Sequence, residues 1–189
     1  MPPIRRGGRA RILDGAWIVW TQAQGDRGTR WRESIETGDG GIARVTLLET
    51  TTAGRPTRLE VAGPPGLLTL HPEPDESALH GNRVGPDGVR PFAFDWSPEH
   101  ELLLLRSPAS ATATLGRLSS SMEVGAGRSI PVVRIDDALD PIPETWIFER
   151  TGDRDWRLRR DDGGPERVLT VDDSGRPVLG EAIEWPLEP

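Results

Sequence analysis

The chain has 189 residues, with 30 acidic and 23 basic side chains and a formal charge of −7; every basic residue is arginine. That balance excludes a nucleic-acid binder, because phosphate recognition needs a concentrated basic surface. The absence of cysteine excludes a disulfide, a thiolate nucleophile and a zinc–thiolate site, and the absence of lysine excludes Schiff-base chemistry.

Residues 1–10, "MPPIRRGGRA", read as a flexible N-terminal segment. No apolar stretch of signal-peptide length follows them. No apolar run approaches the roughly 20 residues that span a bilayer, so a cytoplasmic protein without a transmembrane segment is expected. A length of 189 residues fits one domain, 1–189. The 18 prolines and 22 glycines are spread through it, which suits many short strands joined by turns.

Along the chain, 17–56 alternates strand-like runs with turn signals. Further strands are expected at 58–63, 67–72, 89–96, 101–106, 129–136, 145–150, 156–160, 167–172 and 182–187, separated by turns such as "GPPG" and "GPDG". A single helix is expected over about 107–118, "SPASATATLGRL", with Ser107 as N-cap and Pro108 in the first helical position. Its small residues leave no broad charged face, so it belongs inside something. A sheet curled around it would also cover both faces of "ELLLLR" (101–106).

Two stretches share an ordered set of signals. "WIVWTQAQGDRGTRW…" (17–56) and "WIFERTGDRDWRL…" (146–177) match Trp17 with Trp146, Gly25 with Gly152, and Trp31 with Trp156. They go on to match Asp39 with Asp162, Arg44 with Arg167, and Gly54 with Gly175. The spacings differ by zero or two residues each time. Side chains alternate faces along a strand, so even changes are those a duplicated β meander accepts.

No catalytic motif is visible. "LSSSM" lacks a nucleophile elbow, no glycine-rich phosphate loop joins a strand to a helix, and choosing an acid–base pair among 30 carboxylates would be arbitrary. His71, His80 and His100 lack metal-ligand spacing, so no metal and no cofactor are expected. The strand 89–96 offers the best site: Phe92, Phe94 and Trp96 share one face, Arg90 stands at its edge, and His100 follows the turn. These residues are either core or a ligand wall.

The series Asp95-Trp96-Ser97-Pro98, then Val124, Gly125 and Arg128, then Val171, Asp172, Gly175 and Val178 resembles a bacterial glycolipid-binding family. The likeness covers roughly residues 42–188. The first 40 residues depart from the pattern, and Pro-Glu-His-Glu at 98–101 stands where relatives carry a Pro-Ala-Thr-Asn-like turn. The resemblance implies a mainly β fold, a long antiparallel sheet curled as a spiral β-roll around a single α-helix. It also implies a homodimer and a distant likeness to periplasmic lipoprotein carriers.

Three functions are open at this point. The first is a non-catalytic binding protein for an amphiphilic ligand such as a glycolipid or fatty-acyl compound, held by Arg90, Phe92, Phe94, Trp96 and His100. The second is a dimeric interaction module, and the third is an unrecognised hydrolase.

Overall fold

The computed structural model describes residues 4–11, 15–173, 175–178 and 182–186. The strands are β1 (Ile4–Arg11), β2 (Trp17–Gly25), β3 (Gly28–Glu36), β4 (Ile42–Thr50), β5 (Pro56–Gly63), β6 (Gly66–Pro72), β7 (Ala78–Gly85), β8 (Gly88–Asp95) and β9 (Glu101–Leu104). The helix α1 (Pro108–Ser119) follows, and then β10 (Gly127–Ile135), β11 (Pro141–Arg150), β12 (Asp155–Arg160), β13 (Arg167–Thr170) and β14 (Ala182–Pro186). A mainly β chain with a long antiparallel sheet, a second sheet and one helix fits the expected β-roll. Among the described residues no helix is long and apolar enough to cross a membrane. The backbone forms two compact units, 1–96 with 179–189, and 97–178.

The first unit holds a nine-stranded sheet in the order β14-β1-β2-β3-β4-β5-β6-β7-β8. Alternation gives it two chemically distinct faces. One cross-strand row of the inner face runs Gln22, Trp31, Leu48, Leu59, Leu70, Gly81 and Phe92. Trp31, Leu48, Leu59 and Leu70 in it are buried, as are the neighbouring Ile18, Trp20, Val61, Leu68 and Leu79. Three hairpins close on paired glycines, Gly25 with Gly28, Gly63 with Gly66 and Gly85 with Gly88. Gly28 and Gly66 have φ of +127° and +131°, and a Cβ on either would lie 1.8 or 2.0 Å from the Thr50 or Val84 carbonyl oxygen. No side chain fits there.

Two expectations fail in this sheet. Residues 4–10 belong to a strand, not a flexible segment: β1 pairs with β2 on one side and β14 on the other. Gly8 makes this feasible, because a Cβ there would fall 2.5 Å from the Trp20 ring that lies against it. Nor does the sequence reading include β7. Its "LHGNRV" core carries a glycine and an asparagine, both poor strand formers, yet Gly81 is where Leu70 crowds in, 2.5 Å from an added Cβ.

The second unit is a five-stranded sheet, β13-β12-β11-β10-β9, antiparallel except where β9 runs parallel to β10. A parallel pair needs a long crossover, and α1 is that crossover. Ser107 caps it as expected, its side chain accepting from the Ser110 amide, and Pro108 opens the first turn. Leu115 and Leu118 of the helix share a core with Leu103, Ile130, Val132, Trp146, Phe148, Trp156 and Leu158. All four residues of β9 are buried, as the run of leucines predicts.

Both matched stretches are antiparallel meanders, β2-β3-β4 and β11-β12-β13. Gly54 and Gly175 occupy the same place in equivalent turns, at φ of 79° and 76°. In these turns the Thr51 and Asp172 amides donate to the carbonyls of Arg55 and Arg176. The first tryptophans do not correspond. Trp146 is buried, whereas Trp17 lies on the opposite face from buried Ile18 and Trp20, with the Arg9 guanidinium 4.9 Å from its ring. The cause is turn parity. Two residues separate Gly25 from its partner Gly28, but three separate Thr151 from Asp155, whose carbonyl accepts the Thr151 amide. That single residue reverses the face at which the even spacing arrives.

Candidate functional site

β8 ends the nine-stranded sheet, paired to β7 on one side only. Its register places Arg90 opposite Arg83, Phe92 opposite Gly81 and Phe94 opposite Leu79. Phe92 and Phe94 therefore stand on the face that is buried further into the sheet, but at this edge they are only half-buried. Their rings stack, with centroids 6.1 Å apart and planes 12° apart. The Arg90 guanidinium lies over the Phe92 ring at 5.1 Å. Gly81 presents no side chain opposite Phe92, which leaves the ring's flank to other atoms. A cation above an aromatic pair is suited to an apolar group with an anionic end.

The structure divides the five expected site residues. Arg90, Phe92 and Phe94 form one continuous stripe. Trp96 is buried, 7% exposed, and its amide donates to the Ser77 carbonyl at 3.1 Å. His100 belongs to the second unit. Its Nδ1 accepts from the Ser97 amide at 3.1 Å and lies 2.9 Å from the Ser97 hydroxyl, which makes it part of its own turn. Sequence reasoning missed Leu79, Gly81 and Arg83, all on the unrecognised β7. The "GPDG" turn between two strand-like runs was the available signal.

Other polar clusters bring together few reactive groups. His71 and His80 face each other across β6 and β7, with ring centroids 6.5 Å apart, and Glu73 lies 3.4 Å from His80. Among the described residues no group of three metal-ligating side chains forms. Glu101 is fully buried, accepting from Thr114 at 3.1 Å and from the Arg117 Nε at 2.5 Å. Burial pushes its carboxyl up, against the pull of Arg117 and Thr114. Glu144 is also partly buried, which acts to raise it. Bidentate bonds from Arg134, the Trp146 indole N–H and the charge of Arg160 outweigh that, and hold it below the ordinary glutamate range. Both glutamates tie strands or helix together through these bonds.

No family model matches the chain, and no curated protein resembles it significantly in sequence. Its fold is similar to the crystal structure of a DUF1089 family protein from Pseudomonas aeruginosa, with a TM-score of 0.61 and 17% identity over 87% of this chain and 89% of that one. At that identity the likeness establishes a shared fold, and fold alone does not fix function.

Proposed function

We propose that the protein is a non-catalytic binding protein for an amphiphile, such as a glycolipid or fatty-acyl compound, held at the β8 edge. The observation that supports this reading is the half-buried Phe92–Phe94 stack with Arg90 over it, on the face that carries the sheet's buried row. The acyl part would lie along the two rings and an anionic or hydrogen-bonding head group would meet Arg90. Covering about six methylenes contributes roughly 5 kcal/mol at ~0.8 kcal/mol each. An exposed arginine–anion pair adds only about 0–1 kcal/mol. The tail therefore sets affinity, and the head group sets orientation.

Native mass spectrometry of protein purified gently from its own cells tests this, run beside a Phe92→Ala/Phe94→Ala variant. The reading expects a non-covalently bound lipid-like mass on the wild type that is missing from the variant. A bare mass on both proteins, or the same adduct on both, would count against it.

A further inference from the structure

The polar end of the Phe92–Phe94 stripe carries more charge than one arginine. Arg83 lies directly opposite Arg90 across β7 and β8, so both side chains leave the sheet on the same face. Directly opposed residues of an antiparallel pair have Cβ atoms about 4.5–5.5 Å apart, and like charges placed so destabilise the pairing. Arg83 is half-buried and Arg90 exposed, with the Arg90 guanidinium 5.1 Å from the Phe92 ring. Leu68, the neighbour of Arg83 on β6, is fully buried. Two residues further along β6, β7 and β8 this face carries only Gly66, Gly85 and Gly88. A Cβ on Gly88 would meet nothing within 4 Å, so the face is open beside Arg90.

The charges that share this face with the pair are mostly positive. Along β3 to β8 the registers and strand alternation put Glu33, Arg44, Arg83 and Arg90 on it, and among the described residues no other charged side chain of those strands. Arg30, Arg32, Glu49, Arg58, Glu60 and Asp95 leave by the opposite face. Glu33 is buried and shares a cross-strand row with Arg83, with Thr46, Val61 and Leu68 between them. Four strand spacings of ~4.8 Å separate the two, about 19 Å along the sheet. Asp87, the carboxylate closest to the pair in sequence, belongs to the exposed turn between β7 and β8.

Two opposed guanidiniums select among head groups. A carboxylate has one charge and is satisfied by a single arginine fork. A neutral sugar leaves the two like charges facing each other. A phosphate monoester carries roughly −1.5 to −2 charge at pH 7 and three acceptor oxygens, enough to engage a fork from each side. We propose that the head group of the ligand is a phosphate monoester held between Arg83 and Arg90, with its alkyl or acyl chain along Phe92 and Phe94. This rests on the amphiphile reading above and narrows it to phosphorylated amphiphiles. The tail still supplies most of the affinity, and Arg83 makes the head group a determinant of which amphiphile is taken.

The test titrates the full chain, by calorimetry below micelle-forming concentrations, with dodecyl phosphate, dodecanoate and dodecyl maltoside, which share one tail. Inorganic phosphate is the fourth probe. Dodecyl phosphate is expected to bind at least about tenfold tighter than either of the other amphiphiles and than inorganic phosphate. An Arg83→Gln variant, its fold checked by circular dichroism, should bring dodecyl phosphate down to the level of dodecanoate and leave dodecyl maltoside unchanged. Equal affinity for the three amphiphiles on the wild type, a comparison that needs no variant, would overturn the head-group assignment while the amphiphile reading stood. Unchanged dodecyl phosphate binding in a folded Arg83→Gln protein would overturn it as well. Inorganic phosphate binding as tightly as dodecyl phosphate would make free phosphate the ligand and overturn it too. No binding of any amphiphile would sink both readings together.

Discussion

β8 and β9 follow each other in sequence, each ends its own sheet, and they are finished in opposite ways. β9 is sealed by side chains of α1. Ser110 Oγ accepts from the Leu104 amide at 3.0 Å and donates to the Leu102 carbonyl at 2.9 Å, doing for an edge strand what a further strand would do. Four residues on, Thr114 bonds Glu101, and Arg117 completes the stripe. β8 is finished differently. Val89, Arg90, Pro91, Ala93 and Asp95 along it are exposed, and Pro91 removes one backbone donor from the strand. Proline and charge are ordinary protection against edge-to-edge association. They do not explain two half-buried phenylalanines beside them. The β8 edge keeps the Phe92–Phe94 surface within reach of solvent, as the proposed binding edge would.

The largest effect expected from breaking this contrast is at Ser110. Ser110→Ala leaves the Leu104 N–H and the Leu102 carbonyl without their partner inside the protein and should cost about 2–3 kcal/mol, read from urea denaturation. If stability stays within about 0.5 kcal/mol, the seal is not a structural one.

The second prediction concerns pH. Burial raises the folded-state pKa of Glu101 above its ordinary 4.5. A raised folded pKa means that the group's contribution is present below the unfolded value and is lost as pH rises through the folded one. Glu101→Gln should therefore gain stability relative to wild type as pH climbs from 4.5 toward neutrality. Glu144, lowered from 4.5, has the opposite sign: its contribution is held above that value and lost as pH falls through its folded pKa. Denaturation midpoints of the two Gln variants at acid and neutral pH should diverge from wild type in opposite directions. Divergence in the same direction would break the assignment.

Smaller stability effects are expected at β8. Phe92→Ala or Phe94→Ala should each cost less than the ~3–5 kcal/mol of a fully buried phenylalanine, since both are half-buried. Phe148, fully buried in the second unit, supplies the control and should show that full cost on mutation to alanine. A loss at Phe92 equal to that at Phe148 would make the stripe core. The smallest expected change is Pro91→Thr, which should leave the midpoint nearly unchanged and raise self-association at high concentration, measured by light scattering.

Legibility in the sequence followed how local each signal is. Ser107 and Pro108 mark the helix start through contacts within one turn, and four consecutive leucines announce a strand buried on both faces. β1 and β7 were not legible, because a glycine in each exists to admit a side chain of another strand, Trp20 or Leu70. The matched stretches held at Gly54 and Gly175, where backbone conformation demands glycine, and failed at Trp17, where one turn residue reverses the face. The candidate site split for the same reason. Alternation alone put Arg90, Phe92 and Phe94 on one face, whereas the role of His100 depended on how the 97–100 turn folds back on Ser97.

The central claim is that the β8 stripe binds an amphiphile, and backbone amide NMR with a twelve-carbon acyl amphiphile, titrated to about 1 mM to reach weak affinities, tests it most directly. The account predicts saturable shifts concentrated at residues 79–83 and 90–94, abolished in the Phe92→Ala/Phe94→Ala variant. Shifts that cluster elsewhere, or that persist unchanged in the variant, would contradict it.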